Sequence, residues 1–186
     1  MKTNSENLWN QFKTSFKKNI EENNDIKAKL GLLNKTKTRK EFLKDYLFPD
    51  MENDLELKFE KEEEFLLVDY TFYREGEKCQ WKVPLIFVES ECVWSSAEKE
   101  VRKLCSVNAP LKILILYRNY STIEVEQGDW KYIMQDYIQE YQLVGYFALL
   151  IYTPSRDSGG KYEFRSYLYN DSGVCVEDDK LLVKIE

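Results

Sequence analysis

The segment Leu111–Tyr117 is the feature that most constrains the fold of this chain. It is apolar throughout except for Lys112. Strands that are apolar on both faces are typical of the centre of a sheet that helices cover on each side. Segments with helical patterns stand before and after this run. The sequence therefore predicts an α/β protein, in which a mixed central sheet is flanked by helices.

Other periodic patterns predict the order of the remaining elements. Apolar residues at helical spacing predict a helix over residues 5–22, and a capping box of Thr38 and Glu41 predicts a second helix that ends at Pro49. The following elements are strands at 55–59, 65–73 and 83–91, a helix opened by Ser95 and Glu98, the strand 111–117, a helix capped by Asp129, and strands at 146–153, 161–169 and 180–185. We expect one domain over residues 1–186, with a helical segment (1–48), a core motif region (54–117) and a C-terminal region of helix and strands (118–186).

Three carboxylates lie where two neighbouring strands are predicted to bring them together. Asp69 is inside the second predicted strand, and Glu89 and Glu91 end the third. Residues two apart share a face of a strand, so Glu89 and Glu91 are expected on one side, where Leu85 and Phe87 precede them. A buried pair of acids is costly unless a partner such as a divalent cation offsets the burial.

The distance between Asp69 and Glu89 depends on the register of the two strands. A tight turn at Glu75 and Gly76 would pair Asp69 with about residue 82, far from Glu89. A wider loop over residues 74–82 would pair Asp69 with about residue 87 and leave Glu89 as a diagonal neighbour, roughly 7–8 Å away. We favour the wide loop, because that segment is polar and lacks the alternation of a strand.

The residue types that are missing exclude several kinds of site. The chain has no histidine, which excludes Ser-His-Asp and Cys-His catalysis and histidine metal ligands. It has neither a GxxxxGKS/T phosphate loop nor a GxGxxG turn. The cysteines lack CxxC or zinc-like spacing, the N-terminus lacks the apolar stretch of a signal peptide, and no apolar run reaches membrane-spanning length. We therefore expect a cytoplasmic protein with no membrane partner.

Charge is unevenly distributed along the chain. Residues 1–45 carry eleven Lys or Arg against six Asp or Glu, a net charge of +5, whereas the remaining residues carry a net charge of −11. Many of the cations fall in the basic segment 34–40. This segment is interpreted first as a solvated loop and helix start, and second as a contact for nucleic-acid phosphates at the entrance to an acidic site.

Together these features resemble the PD-(D/E)XK nuclease superfamily. The resemblance rests on helices before a three-strand meander, an Asp in the second strand, Glu-x-Glu at the end of the third, and a following helix and strand, and it covers residues 38–117. It implies a restriction-endonuclease-like fold in which Asp69 and Glu89 bind Mg²⁺ or Mn²⁺. The usual lysine of that family would stand at position 91, where this chain has Glu91. In some branches the lysine has moved to the following helix, and its counterpart here is Lys103.

The resemblance implies metal-dependent hydrolysis of phosphodiester bonds in nucleic acid. Asp69, Glu89, Glu91 and Lys103 would form the catalytic set, with Glu91 as a metal ligand or general base. Members of the superfamily also take an acid from an N-terminal helix; Glu41 is the counterpart, although its simpler role is to cap its own helix. Cleaving members are commonly dimers, so a homodimer is a further expectation.

Two alternatives remain open from the sequence. The fold could be retained as a non-catalytic binding module of the antitoxin, immunity-protein or complex-subunit type, which the replaced lysine and the acidic net charge favour. The acids could also be structural. Glu89 and Glu91 would then be the charged end of an edge strand, and Asp69 would accept a hydrogen bond inside the sheet.

Overall fold

The structure of the protein is a computed structural model that describes residues 4–34, 36–60, 68–76, 81–91, 94–117, 123–140, 142–155 and 161–185. The helices are α1 (Ser5–Glu22), α2 (Asn24–Lys29), α3 (Thr36–Glu41), α4 (Phe48–Leu55), α5 (Trp94–Ser106) and α6 (Ile123–Glu140), with a 3₁₀ turn at Leu30–Asn34 and a π-helical segment at Phe42–Leu47. The strands are β1 (Lys58–Glu60), β2 (Tyr70–Glu75), β3 (Lys82–Glu91), β4 (Leu111–Tyr117), β5 (Tyr146–Pro154), β6 (Tyr162–Tyr169) and β7 (Cys175–Ile185).

Helix α1 has the predicted limits. Asn4 caps it by accepting a hydrogen bond from the backbone N–H of Glu6, which satisfies one of the unpaired donors of the first turn. The side chains of Trp9, Phe12 and Phe16, at helical spacing, are fully buried. The amphipathic pattern of the sequence therefore predicted this helix correctly, because it marks the face that packs on the sheet.

The second predicted helix differs from the prediction at both ends. The Thr38 hydroxyl donates to the carbonyl oxygen of Leu32 at 2.7 Å and lies inside α3, so Thr38 is not the predicted cap. The chain then continues through the π-helical segment into α4, where Pro49 occupies one of the first two positions. Proline is favoured at the start of an α-helix because its fixed φ is already helical. The prediction that Pro49 ends the helix is therefore wrong.

The described strands form one seven-stranded sheet in the order β1 to β7. Strands β1, β2 and β3 are an antiparallel meander, β3, β4 and β5 are parallel to one another, and β5, β6 and β7 are antiparallel. Parallel neighbours need a crossover connection, and α5 and α6 provide the two crossovers. The prediction of an α/β protein with a mixed sheet flanked by helices is confirmed.

Two hydrophobic clusters cover the two faces of the sheet. On one face, α1 and α4 pack against alternate strand residues such as Phe72 and Ile113. On the other face, α5 and α6 pack against Phe87 and Leu114. All side chains of β4 are buried, as its apolar sequence predicts for a central strand.

The pairing of β2 with β3 contains a bulge that changes the predicted register. Phe72 is opposite Ile86 and Tyr73 is opposite Pro84, so Leu85 is the extra residue on β3. Leu85 accordingly belongs to the cluster on the α1 face, whereas Phe87 belongs to the cluster on the α5 face. The expectation that Leu85 shares a face with Phe87 is wrong, because a bulge interrupts strict alternation.

Several other boundaries also differ from the prediction. Residues 55–57 are not strand, since α4 extends to Leu55 and β1 begins at Lys58. Helix α6 begins at Ile123, so Asp129 lies within it and does not cap it, while β7 begins at Cys175, five residues before the predicted start. The first part of the predicted strand 65–73, residues 65–67, lies outside the described residues. No helix in the described part of the chain is long and apolar enough to cross a membrane.

Candidate functional site

Five charged residues meet at the carboxyl end of β3. We call Asp69, Glu89, Glu100, Lys40 and Lys103 the acid–lysine cluster. Glu89 lies on β3, Asp69 just before β2, Lys40 on α3, and Glu100 and Lys103 on α5. Because α3 and α5 belong to the helical layers on opposite faces of the sheet, the cluster joins both layers at this edge.

Glu89 is the buried centre of the acid–lysine cluster. Only 1% of it is exposed, and its neighbour on the same face, Phe87, is part of the core beneath α5. The Lys103 Nζ lies 2.7 Å from Glu89 Oε1 and 2.5 Å from Glu100 Oε2. Among the described residues, Glu89 Oε1 has no partner in hydrogen-bonding geometry, so the Lys103 ammonium is close to it but poorly aligned.

Asp69 reaches Glu89 from the neighbouring strand. Its Oδ2 accepts a hydrogen bond of 3.1 Å from the backbone N–H of Ser90, and its Oδ1 lies 3.2 Å from Lys40 Nζ. The predicted register was wrong by two residues, because Thr71 is opposite Phe87. Continuing this pairing along the two strands places Asp69 opposite Glu89 itself, which is closer than the diagonal arrangement that the sequence suggested.

The electrostatics of the acid–lysine cluster disfavour a charged Glu89. Burial raises the pKa of Glu89 most, and the negative charge of Asp69 raises it next. These two effects and the charge of Glu100 outweigh the opposing effect of Lys103, so that the pKa of Glu89 is about 9. Burial also opposes the charge on Lys103, but Glu100 and Glu89 outweigh it and raise the pKa of Lys103. Near neutral pH, in the absence of another cation, Glu89 therefore holds a proton beside a charged Lys103.

The remaining predicted acids lie around this centre. Glu91 is the last residue of β3, partly exposed, and alternation puts it on the face of Glu89 but one step nearer the sheet edge. Glu41 is the last residue of α3, and Thr38 lies inside that helix, so the predicted capping box does not stand at a helix start and the predicted capping role of Glu41 is wrong. Lys103 is on the helix after β3, as proposed for a displaced lysine, and contacts Glu89 directly.

The composition of the acid–lysine cluster can be compared with the needs of a metal ion. In the described part of the chain, no group of three or more His, Cys, Asp or Glu residues is arranged to hold one. Asp69 and Glu89 supply two neighbouring carboxylates, and the pKa of Glu89 is raised first by burial and then by the charge of Asp69. Mg²⁺ is commonly held by one or two carboxylates together with water and substrate phosphate, so these two residues fit such an ion.

The sequence did not lead to a predicted site role for Glu100 or to a predicted contact for Lys40. A signal for Glu100 does exist, because it stands three residues before Lys103 on a helix, a spacing at which opposite charges form ion pairs. Lys40 was recognised only as part of the basic segment 34–40. Its contact with Asp69 depends on how α3 packs against the sheet edge, which no local pattern encodes.

A second buried glutamate on the same face of the sheet provides a contrast. Glu163 on β6 is also 1% exposed, but the Arg165 guanidinium lies 3.0 Å from its Oε1, and the Ser155 hydroxyl lies 3.2 Å from its Oε2. Arg165 is held in turn by Asp179. Glu163 thus has aligned partners for both oxygens, whereas Glu89 Oε1 has none in the described part of the chain.

Comparison with known proteins leaves the family of this chain open. No protein-family model matches the sequence, and no curated protein matches it.

Proposed function

We propose that this chain is a metal-dependent nuclease-like protein that hydrolyses phosphodiester bonds of nucleic acid with the acid–lysine cluster. The observation that carries the proposal is the convergence of Asp69, Glu89 and Lys103 from three separate elements, with 2.7 Å between Lys103 Nζ and Glu89 Oε1. Two acids and a lysine are the residue types that the resemblance implies for this reaction. Glu89 is buried against the core, and Asp69 is fixed by the backbone N–H of Ser90, which favours the defined geometry that catalysis needs.

The order of the elements also supports a restriction-endonuclease-like fold. A helix precedes the antiparallel meander β1–β2–β3, and the crossover helix α5 then leads to the parallel strand β4. In the superfamily that the sequence resembles, one acid comes from the second strand of such a meander and the next from the end of the third. Asp69, just before β2, and Glu89, near the end of β3, are the counterparts here.

In this proposal Asp69 and Glu89 hold Mg²⁺ or Mn²⁺ through one carboxylate each. Such an ion, when bound, lowers the pKa of a coordinated water and offsets the charge of the attacked phosphate. Lys103 is held by Glu100 and Glu89, so its ammonium is fixed beside the site and can stabilise the developing negative charge. Glu91, at the partly exposed end of β3, would orient the attacking water or take its proton.

A second candidate function is a non-catalytic binding module with the same fold. The observation that favours it is that Lys40 and Lys103 already pair with Asp69 and Glu89. The chain thus places two lysine ammonium groups beside these acids, and they take the place that a metal ion would have. The replacement of the usual lysine by Glu91 points in the same direction.

The first test is calorimetric titration of Mn²⁺ and Mg²⁺ into the wild type, Glu89→Gln and Glu98→Gln. Glu98 is a matched control, because it is a partly exposed glutamate of α5 that pairs with Arg102 one helical turn away. We expect sub-millimolar binding to the wild type and Glu98→Gln, and loss of binding in Glu89→Gln. Labelled single-stranded and duplex DNA and RNA are then incubated with each protein and Mn²⁺.

Cleavage that requires both Mn²⁺ and Glu89 would support the nuclease. Nucleic-acid binding that is equal in all three proteins, without metal dependence or cleavage, would support the binding module. Absence of metal binding in all three proteins would remove the basis of the metal-dependent mechanism.

A further inference from the structure

Lys40 contacts one of the two Asp69 oxygens through which a metal ion could bind. Asp69 Oδ2 already accepts a hydrogen bond from the backbone N–H of Ser90, and Lys40 Nζ lies 3.2 Å from the other oxygen, Oδ1. An ammonium and a divalent cation on the same carboxylate oxygen repel each other. Metal binding at Asp69 therefore has a direct consequence for Lys40.

The two lysines of the acid–lysine cluster differ in how firmly they are held. Lys103 is 29% exposed and lies between two carboxylates. Lys40 is 62% exposed, and its ion pair with Asp69 is near the surface. Exposed ion pairs contribute little to stability, so the Lys40 contact can open at low cost, whereas Lys103 is fixed.

The backbone that carries Lys40 is anchored at its neighbour Arg39. The Arg39 side chain is almost completely buried, its guanidinium carbon lies 3.5 Å from the ring centre of Tyr117, and its Nε donates to the carbonyl oxygen of Leu33 at 3.0 Å. Tyr117 is the last residue of β4, directly beside β3. Helix α3 is thus fixed at the sheet edge, and the Lys40 side chain can move without moving the helix.

We propose that Lys40 is a phosphate-binding residue that the divalent cation releases from Asp69. In the metal-free protein Lys40 neutralises Asp69. When the cation binds Asp69 and Glu89, the ammonium is repelled outward to the entrance of the site, where it contacts a phosphate of the nucleic acid. This inference rests on the proposed function and adds to it an order of events, in which metal binding prepares the site for the substrate.

The test compares the wild type with Lys40→Gln and Lys18→Gln. Lys18 is a matched control on α1, away from the acid–lysine cluster. It is 54% exposed, and its Nζ lies 2.7 Å from Asp54 Oδ1. Calorimetry with Mn²⁺ should show about two- to fivefold tighter binding to Lys40→Gln, since a competing cation has been removed. Lys18→Gln should bind Mn²⁺ like the wild type.

Two further measurements follow Lys40 itself. Acylation of the wild type with an N-hydroxysuccinimide ester, quantified by mass spectrometry, should modify Lys40 faster with Mn²⁺ than without it, while the rate at Lys18 stays constant. Fluorescence anisotropy with a labelled oligonucleotide in Ca²⁺ should show several-fold weaker binding to Lys40→Gln than to Lys18→Gln.

The outcomes separate this inference from the proposed function. If the wild type binds Mn²⁺, but Lys40→Gln has unchanged or weaker affinity and Mn²⁺ leaves the acylation of Lys40 unaffected, the release of Lys40 is refuted and the metal site stands. If Mn²⁺ binds neither the wild type nor Lys40→Gln, both proposals are refuted. The acylation experiment uses the wild type, so it decides the question even if a variant fails to fold.

Discussion

Replacement of Glu89 by glutamine should stabilise the metal-free protein near neutral pH. The pKa of Glu89 is raised from its ordinary value of 4.5 to about 9, chiefly by burial and then by Asp69. The folded protein must therefore keep a proton that the unfolded chain releases. Keeping this proton lowers the free energy of unfolding by about 3 kcal/mol near pH 7, because each pH unit above the unfolded pKa of 4.5 adds about 1.4 kcal/mol. Glu89→Gln has nearly the same shape and avoids this cost.

The sign of the pH dependence follows from the raised pKa. The stability associated with protonated Glu89 is fully present below its unfolded pKa of 4.5 and is lost as the pH rises towards about 9. The advantage of Glu89→Gln should therefore be below about 1 kcal/mol near pH 5 and should grow to about 3 kcal/mol near pH 7. For a chain of this length, that gain corresponds to an increase of about 6–12 °C in the melting temperature.

Urea unfolding in EDTA at several pH values measures this difference, and Glu163→Gln is the matched control. Glu163 has the same burial but accepts hydrogen bonds from Arg165 and Ser155. Its replacement weakens the bond to Arg165, which Asp179 still holds, and should destabilise the fold by about 2 kcal/mol. The two substitutions are thus expected to have opposite signs. The reasoning is refuted if Glu89→Gln is no more stable than the wild type near pH 7, or if its gain is the same near pH 5 and near pH 7.

Three further variants test the acid–lysine cluster and the fold. Under the proposed function, Lys103→Met should abolish cleavage while Mn²⁺ still binds by calorimetry, because Lys103 contacts Glu89 and is not one of the proposed metal ligands. Loss of metal binding would contradict this assignment. Glu100→Gln removes one of the charges that raise the pKa of Glu89, so the pH profile of Mn²⁺ affinity should shift towards acid, and an unchanged profile would show that Glu100 has no electrostatic effect on Glu89. Gly145→Ala should cost at least about 2 kcal/mol in urea unfolding, because Gly145 has φ +78° and a Cβ there would lie 2.2 Å from the Pro110 carbonyl oxygen. A neutral result would mean that the backbone relaxes at this turn.

The helices and strands that the sequence predicted correctly are those in which one pattern of apolar residues determines which side chains are buried. Helix α1 follows from one apolar stripe capped by Asn4, and β4 follows from a run that is apolar on both faces. The errors fall where tertiary packing overrides local signals. Thr38 lies inside α3 because its hydroxyl bonds to Leu32, and Leu85 changes face because of a bulge. Neither effect is visible in the spacing of apolar residues.

The acid–lysine cluster was predictable only in part, for the same reason. Asp69 and Glu89 could be paired from the sequence because strand alternation and a plausible loop bring them together. The role of Glu91 stays a prediction. The contact of Lys40 with Asp69 depends on the packing of α3 against the sheet edge, and the raised pKa of Glu89 depends on the depth of its burial. Both are properties of the assembled layers and not of any segment.

The contrast between Glu89 and Glu163 is the strongest structural argument that Glu89 serves a purpose other than stability. Both glutamates lie on the same face of one sheet with 1% exposure. At Glu163 the chain supplies an arginine and a hydroxyl in hydrogen-bonding geometry, so burial is compensated. At Glu89 it adds two further carboxylates and one lysine that another acid shares, which leaves the charged form disfavoured. Among the described residues, the fold thus gives aligned partners to both oxygens of Glu163 but not to Glu89 Oε1, and the buried Glu89 lowers the stability of the protein near neutral pH. Such costs are typical of sites where a ligand completes the charge balance, and a divalent cation at Asp69 and Glu89 would do so here.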